Sequence, residues 1–162
     1  MSIRIIITGG TFDKHYDELQ GELTFKNTHL PEILSFVRCN VPIELEINQL
    51  IDSLDMQLPN RMRILQSCRI APEDRIIVTH GTDTMVESAN LLGEAGLYKT
   101  VVLTGSMVPY AFANSDAVFN LGCSITAVQL LPAGVYVTMN GKIFPWNKVR
   151  KNKQTGFFEE TT

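Results

Sequence analysis

The sequence predicts a single α/β domain over residues 1–162, a three-layer structure whose mainly parallel sheet carries helices on both faces. Three observations predict it. The runs Ile3–Thr8, Arg75–Thr79 and Thr100–Thr104 are short and β-branched, as buried strands are. Each breaks into glycine and a hydroxyl, at Gly9-Gly10-Thr11, His80-Gly81-Thr82 and Gly105-Ser106. Between the strands lie stretches of helical period, and alternation of that kind gives parallel strands with crossover helices. In such a sheet the three hydroxyl-bearing ends converge, at the edge where open α/β sheets place their ligands.

Taken in order, Ile3–Thr8 is the first strand, and two glycines let the chain turn sharply and approach a ligand closely. Residues 12–28 are polar, with Tyr16, Gly21 and a Leu23-Thr24-Phe25 alternation, and read as a short hairpin or a mobile flap. Thr28–Asn40 reads as a helix, with Pro31 in its first turn, Glu32 near its positive end, and Ile33, Leu34 and Val37 able to share a face. Ile43–Ile47 alternates apolar residues with glutamate, the pattern of an edge or half-exposed strand. Leu58–Ile70 reads as a helix with Met62, Leu65 and Ile70 roughly on one side. After the 75–79 strand a helix begins near Asp83, with Met85, Ala89 and Leu92 on one line, and ends at Gly93 or Gly96. The 100–104 strand leads to a loop with Pro109 and Tyr110. Ser115 or Asp116 then caps a helix in which Val118, Leu121, Ile125 and Val128 recur. Pro132-Ala133-Gly134 stops it, Val135–Thr138 is the fifth strand, and Asn140-Gly141 is a type I′ turn into Lys142–Phe144. The order is that of a Rossmann/flavodoxin-like sheet. Pro145–Thr162 is polar and basic, and by composition alone reads as a solvated tail.

Composition narrows the function classes. With 44% hydrophobic and 19% charged residues the chain is globular. A net charge of −3 gives no general attraction to nucleic acid, and no apolar run approaches the ~20 residues of a membrane span. Cys39, Cys68 and Cys123 have no metal or redox spacing and are expected to be buried thiols in a reducing compartment. With no signal peptide visible ahead of the first strand, the expected location is cytoplasmic. The glycine turn lacks both the dinucleotide fingerprint and the phosphate-loop lysine. His15, His29 and His80 lack zinc spacing, and there is no serine-hydrolase elbow, so no metal and no cofactor is expected. What remains is threonine hydroxyls with an acid, a lysine and a tyrosine. A threonine needs a neighbouring base or cation to become a nucleophile.

Thr8-Gly9-Gly10-Thr11 and Thr79-His80-Gly81-Thr82-Asp83-Thr84-Met85 resemble the two signature segments of the L-asparaginase family. Thr104–Met107 and the Asp116-x-x-x-Asn120-Leu121 pattern are similar to that family's next segment. The resemblance implies hydrolysis of L-asparagine to L-aspartate and ammonia through an acyl-threonine ester, in a homodimer or larger assembly. Residue by residue, Thr11 matches the nucleophile and Tyr16 the flap tyrosine that assists it. Thr82, Asp83 and Lys151 match the family's Thr–Lys–Asp trio. Ser53 resembles the residue that binds the substrate carboxylate, with Asp52, Gly10 and Thr82 as further substrate contacts and Asp83 as the partner of the substrate ammonium. Members of usual length carry a C-terminal domain that lends a glutamate to a neighbouring protomer's site, and this chain stops before it. Asp13, Asp17, Glu18 and Glu159 are the acids that could substitute. Leu54 also replaces a polar residue found in some members. The alternatives are a glutaminase-type small-amide hydrolase and a non-catalytic amino-acid-binding module on the same scaffold.

Overall fold

The computed structural model describes residues 1–162. Its centre is a six-stranded sheet of order β4-β1-β5-β6-β7-β8, built from β1 (Ile3–Gly9), β4 (Ile43–Ile51), β5 (Arg75–Thr79), β6 (Thr100–Thr104), β7 (Gly134–Met139) and β8 (Lys142–Pro145). All neighbours are parallel except β7 and β8, which Asn140 and Gly141 join through a turn with positive φ at both residues, as a type I′ turn requires. Two small hairpins flank the sheet: β2 (His15–Asp17) with β3 (Glu22–Thr24), and β9 (Val149–Lys151) with β10 (Phe158–Glu160). The helices are α1 (Leu30–Phe36), α2 (Leu58–Ile70), α3 (Met85–Glu94) and α4 (Ala117–Leu130).

The apolar strand runs have no polar alternation because both faces of the sheet are covered. Period 2 divides them between two cores. Ile6, Ile76, Val78, Val101, Leu103 and Val137 pack under α2 and α3. Ile3, Ile5, Ile7, Ile77 and Val102 pack under α1 and α4. Each side chain so buried contributes roughly 1.5–3 kcal/mol. β4 lies at the sheet edge, as its alternation predicts, but runs four residues past Ile47 to Ile51.

Several expectations are corrected. α1 covers Leu30–Phe36 rather than 28–40, because Arg38 turns to φ 55° and Cys39 N–H returns to the Leu34 carbonyl. The inner stripe of α2 is Arg61, Ile64, Leu65 and Cys68, while Met62 and Ile70 face outward. A charged residue opens that stripe, its guanidinium paired with Glu87, and hydrophobic periodicity cannot register it. α3 begins at Met85 and ends before Gly96, which takes φ 63°. Gly93 therefore stays inside the helix, for a packing reason: a methyl there would overlap the Trp146 indole. Residues 145–162 are not a solvated tail. Val149 and Phe158 are buried in the core under α3, and the chain between them folds as the β9–β10 hairpin. Only Cys68 of the three free thiols is fully buried. No helix is long and apolar enough to cross a membrane.

Candidate active site

The loops leaving β1, β4, β5 and β6 meet at one end of the sheet, and they meet main chain to main chain. Gly10, at φ 72°, lies so close to Gly81 that a Cβ would collide with the Gly81 nitrogen. Gly105 lies equally close to the His80 carbonyl. A Cβ on Gly81 would stand 2.6 Å from Ser53 Cβ and Oγ. Thr11, just past Gly10 at the head of a 3₁₀ turn, is thereby held on the loop next to Thr82.

The β5 loop is fixed from beneath by His80. This side chain is fully buried, with Nδ1 2.7 Å from the Gly81 carbonyl and Nε2 2.7 Å from Ser88 Oγ. A carbonyl only accepts, so Nδ1 carries the hydrogen and Nε2 accepts from the Ser88 hydroxyl. Burial pushes the imidazole pKa down to about 4, against the weaker upward pull of the Gly81 hydrogen bond, and keeps it neutral. It is a structural histidine.

Thr82, Asp83 and Lys151 are brought together. Lys151 Nζ, on β9, donates to Thr82 Oγ1 at 2.9 Å and to Asp83 Oδ1 at 2.9 Å. Thr82 is buried and the Lys151 side chain is 11% exposed, whereas the Asp83 side chain is 49% exposed and open to a ligand. A cleft of about 450 Å³ opens beside them, bordered also by Leu54, Met107 and Lys153. The largest groove, about 560 Å³, is apolar, runs along α4 and shares no residue with this cluster.

The residues of the β4 loop are already bonded within the chain. Ser53 is buried, its Oγ accepts Thr84 N–H at 3.2 Å, and Thr84 Oγ1 donates to the Ser53 carbonyl at 2.8 Å. The Ser53 hydroxyl hydrogen is left to donate. Asp52 caps the 3₁₀ turn Ser53–Asp55, accepting Leu54 N–H at 3.0 Å and pairing with Lys14 Nζ at 2.5 Å. The Lys14 bond holds the Asp52 carboxyl below its ordinary range despite partial burial. Lys14, which no motif in the sequence marks, thus ties the β1 loop to the β4 loop, and its ammonium lies 5.8 Å from the Phe25 ring centroid.

Tyr16 stands on β2, half exposed, with its hydroxyl across the hairpin from Gly21 and no hydrogen bond to Thr11. Among the alternative acids, Asp13 turns inward: Oδ1 accepts His29 N–H at 2.8 Å, Oδ2 has no partner, and burial raises its carboxyl. Asp17 closes its own hairpin turn through Leu19 and Gln20 N–H, Glu18 is exposed, and Glu159 pairs with Arg150.

Residues 2–159 match the family model for the asparaginase N-terminal domain. The chain belongs to the asparaginase family. This asparaginase-family chain is 29% identical over 168 residues to L-asparaginase 1 of Escherichia coli K12, an alignment covering 96% of the chain and 49% of that protein. It is 33% identical to a glutamyl-tRNA(Gln) amidotransferase component of Archaeoglobus fulgidus, covering 93% of the chain and 39% of the relative. Among solved structures, the thermostable L-asparaginase of Thermococcus kodakarensis superposes with a TM-score of 0.84 at 28% identity, covering 99% of this chain and 51% of that one. The chain spans about half the length of the L-asparaginases it matches.

Proposed function

We propose that this chain hydrolyses the side-chain amide of L-asparagine to give L-aspartate and ammonia. The observation that carries the reading is the Lys151 ammonium set 2.9 Å from both the Thr82 hydroxyl and the Asp83 carboxylate, on a loop touching the one that presents Thr11. Asp83, open on one side, receives the substrate ammonium. The Ser53 hydroxyl and main-chain N–H groups near Gly10 and Thr82 take the α-carboxylate or the developing oxyanion, where one well-aimed donor is worth ~3 kcal/mol of barrier. Thr11 Oγ1 bonds to the amide carbon, its proton passes to the departing nitrogen, and ammonia leaves an acyl-threonine ester. Water then attacks the ester carbon, returns a proton to Thr11 and releases aspartate. Thr82, polarised by Lys151, orients the leaving group or the water, and Tyr16 assists once its hairpin moves over Thr11. The carboxylate of Asp52 remains with Lys14 and positions Ser53. A homodimer or larger assembly and a cytoplasmic location belong to the same proposal.

The test is ammonia release from L-asparagine by wild type, Thr11→Val and Lys151→Met, with folding checked by circular dichroism. Thr11→Val is expected to abolish turnover, and Lys151→Met to lower kcat by at least about 100-fold. Turnover retained in Thr11→Val would refute the nucleophile assignment. The amidotransferase relative favours a second reading, a hydrolase for glutamine or another small amide, and the same assay with glutamine separates the two. Tight asparagine binding without ammonia release would replace both with the amino-acid-binding module.

A further inference from the structure

The loop from β6 to α4 is hung from a single carboxylate. Asp116 Oδ1 accepts Met107 N–H and Val108 N–H, both at 3.0 Å. Its Oδ2 accepts Asn120 Nδ2 at 3.1 Å and Asn140 Nδ2 at 3.0 Å. Asn120 extends the network, giving its amide hydrogen to the Gly105 carbonyl at 2.8 Å while its Oδ1 accepts Asn140 N–H at 2.9 Å. Asp116 stands at the N-cap position of α4, but its carboxylate makes no cap bond to the helix main chain, and Ser115 Oγ accepts the Ala117 N–H instead. Burial alone would raise the Asp116 carboxyl, yet the bonds from Asn140, Met107 and Val108 more than offset it and hold the group ionised.

What this carboxylate fixes is Met107. The Met107 sulfur lies 3.6 Å from Thr82 Oγ1 and receives its hydroxyl hydrogen. Lys151 can only donate, so its bond consumes a lone pair of Thr82 and sends the hydroxyl hydrogen elsewhere. A thioether is a weak acceptor. It sets the direction of the O–H and yields when a substrate oxygen or a departing nitrogen arrives. We propose that Asp116 is a positioning residue for the amide hydrolysis, acting through Met107 to aim the Thr82 hydroxyl into the cleft. The proposal rests on the reading of Thr82 given above.

The test compares Met107→Leu, Asp116→Asn and the double variant in the ammonia assay, alongside methionine-methyl NMR spectra of wild type and Asp116→Asn. Leucine keeps the volume and removes the acceptor. Met107→Leu is expected to lower kcat about tenfold with KM within about twofold, because the hydroxyl is misdirected while the binding groups stay in place. Asp116→Asn is expected to lower kcat at least as far, and adding Met107→Leu to it should cost nothing more, since both act on one hydroxyl. The Met107 methyl resonance, identified by its loss in Met107→Leu, should move or broaden in Asp116→Asn while the methionine methyls outside the Asp116–Asn120–Met139 network hold. Wild-type kcat in Met107→Leu, multiplying losses in the double variant, or an unmoved Met107 methyl would each overturn the proposal. Should Asp116→Asn fail to fold, Asp116→Glu, which keeps the charge and lengthens the reach, takes its place. If wild type releases ammonia from no amide, the hydrolase reading falls, and the methyl spectrum alone decides whether Asp116 holds Met107.

Discussion

A methyl at Gly93 tests whether the β9–β10 hairpin is held in place from α3. Gly→Ala inside a helix ordinarily stabilises by about 0.5–1 kcal/mol. Here the new methyl would overlap the Trp146 ring at three of its atoms. Carbon contacts settle at ~3.5–4 Å, so the indole must retreat by more than about 1 Å. Overpacking of this kind costs about 1–3 kcal/mol, which cancels or exceeds the helix gain and leaves a net loss of about 0–2.5 kcal/mol. Trp146 sits just before β9, so its retreat draws Lys151 away from Thr82 and Asp83. A displacement of about 1 Å in a catalytic group can cost 100-fold in rate. Gly122, on the outer face of α4, is the matched control: a Cβ there meets nothing. Gly122→Ala is expected to raise Tm by ~1–4 °C and leave ammonia release unchanged. Gly93→Ala should fail to raise Tm and should lose most of its turnover. Trp146 is the only tryptophan, so its emission should shift in Gly93→Ala alone. A Gly93→Ala protein with raised Tm, wild-type emission and full kcat would refute the anchoring argument.

Two further outcomes follow from buried groups. His80 titrates at about 4 in the folded chain against 6.5 ordinarily, so the unfolded chain binds the extra proton first as pH falls. Its contribution, about 3 kcal/mol, is complete above pH ~6.5 and is lost progressively as pH falls towards 4. Urea midpoints should decline across that window, and His80→Gln should flatten the decline; an unchanged slope would contradict the neutral assignment. The carboxyls of Asp52, Glu73 and Asp116, all held low, lose their contribution only at more acidic pH, while raised Asp13 works in the opposite direction. Burial pushes the Cys68 thiol up to about 12, whereas Cys39 and Cys123 are partly exposed. A thiol reagent at neutral pH should therefore label those two in the native protein and reach Cys68 only on unfolding.

The sheet is legible in the sequence because its strands are buried on both faces, which writes them as unbroken apolar runs such as Ile5–Ile7 and Ile76–Val78. The convergence of glycine and hydroxyl at their ends is legible for the same reason: parallel strands all deliver their ends to one edge. Features held by charge or by a few distant contacts are not. Arg61 opens the buried stripe of α2, and a polar residue in an inner position defeats hydrophobic periodicity. The β9–β10 hairpin buries only Val149 and Phe158, too sparse a signal among lysines and asparagines, so family resemblance reaches Lys151 while composition points to a loose tail. Lys14, Thr84 and the Asn120–Asn140 bridge act between segments far apart in sequence, and spacing within one segment carries no trace of them.

The meeting of Gly10, Gly81 and Gly105 with neighbouring backbone joins the loops behind this cleft as bare peptide. Any side chain added at one of these three positions would pry two loops apart. The rim is a different material: Leu54 and Lys153 border the cleft from separate loops, and each can change size or charge without parting those backbones. A scaffold divided in this way can change the shape and charge of its cleft at Leu54 and Lys153 while the packing of its loops is left standing.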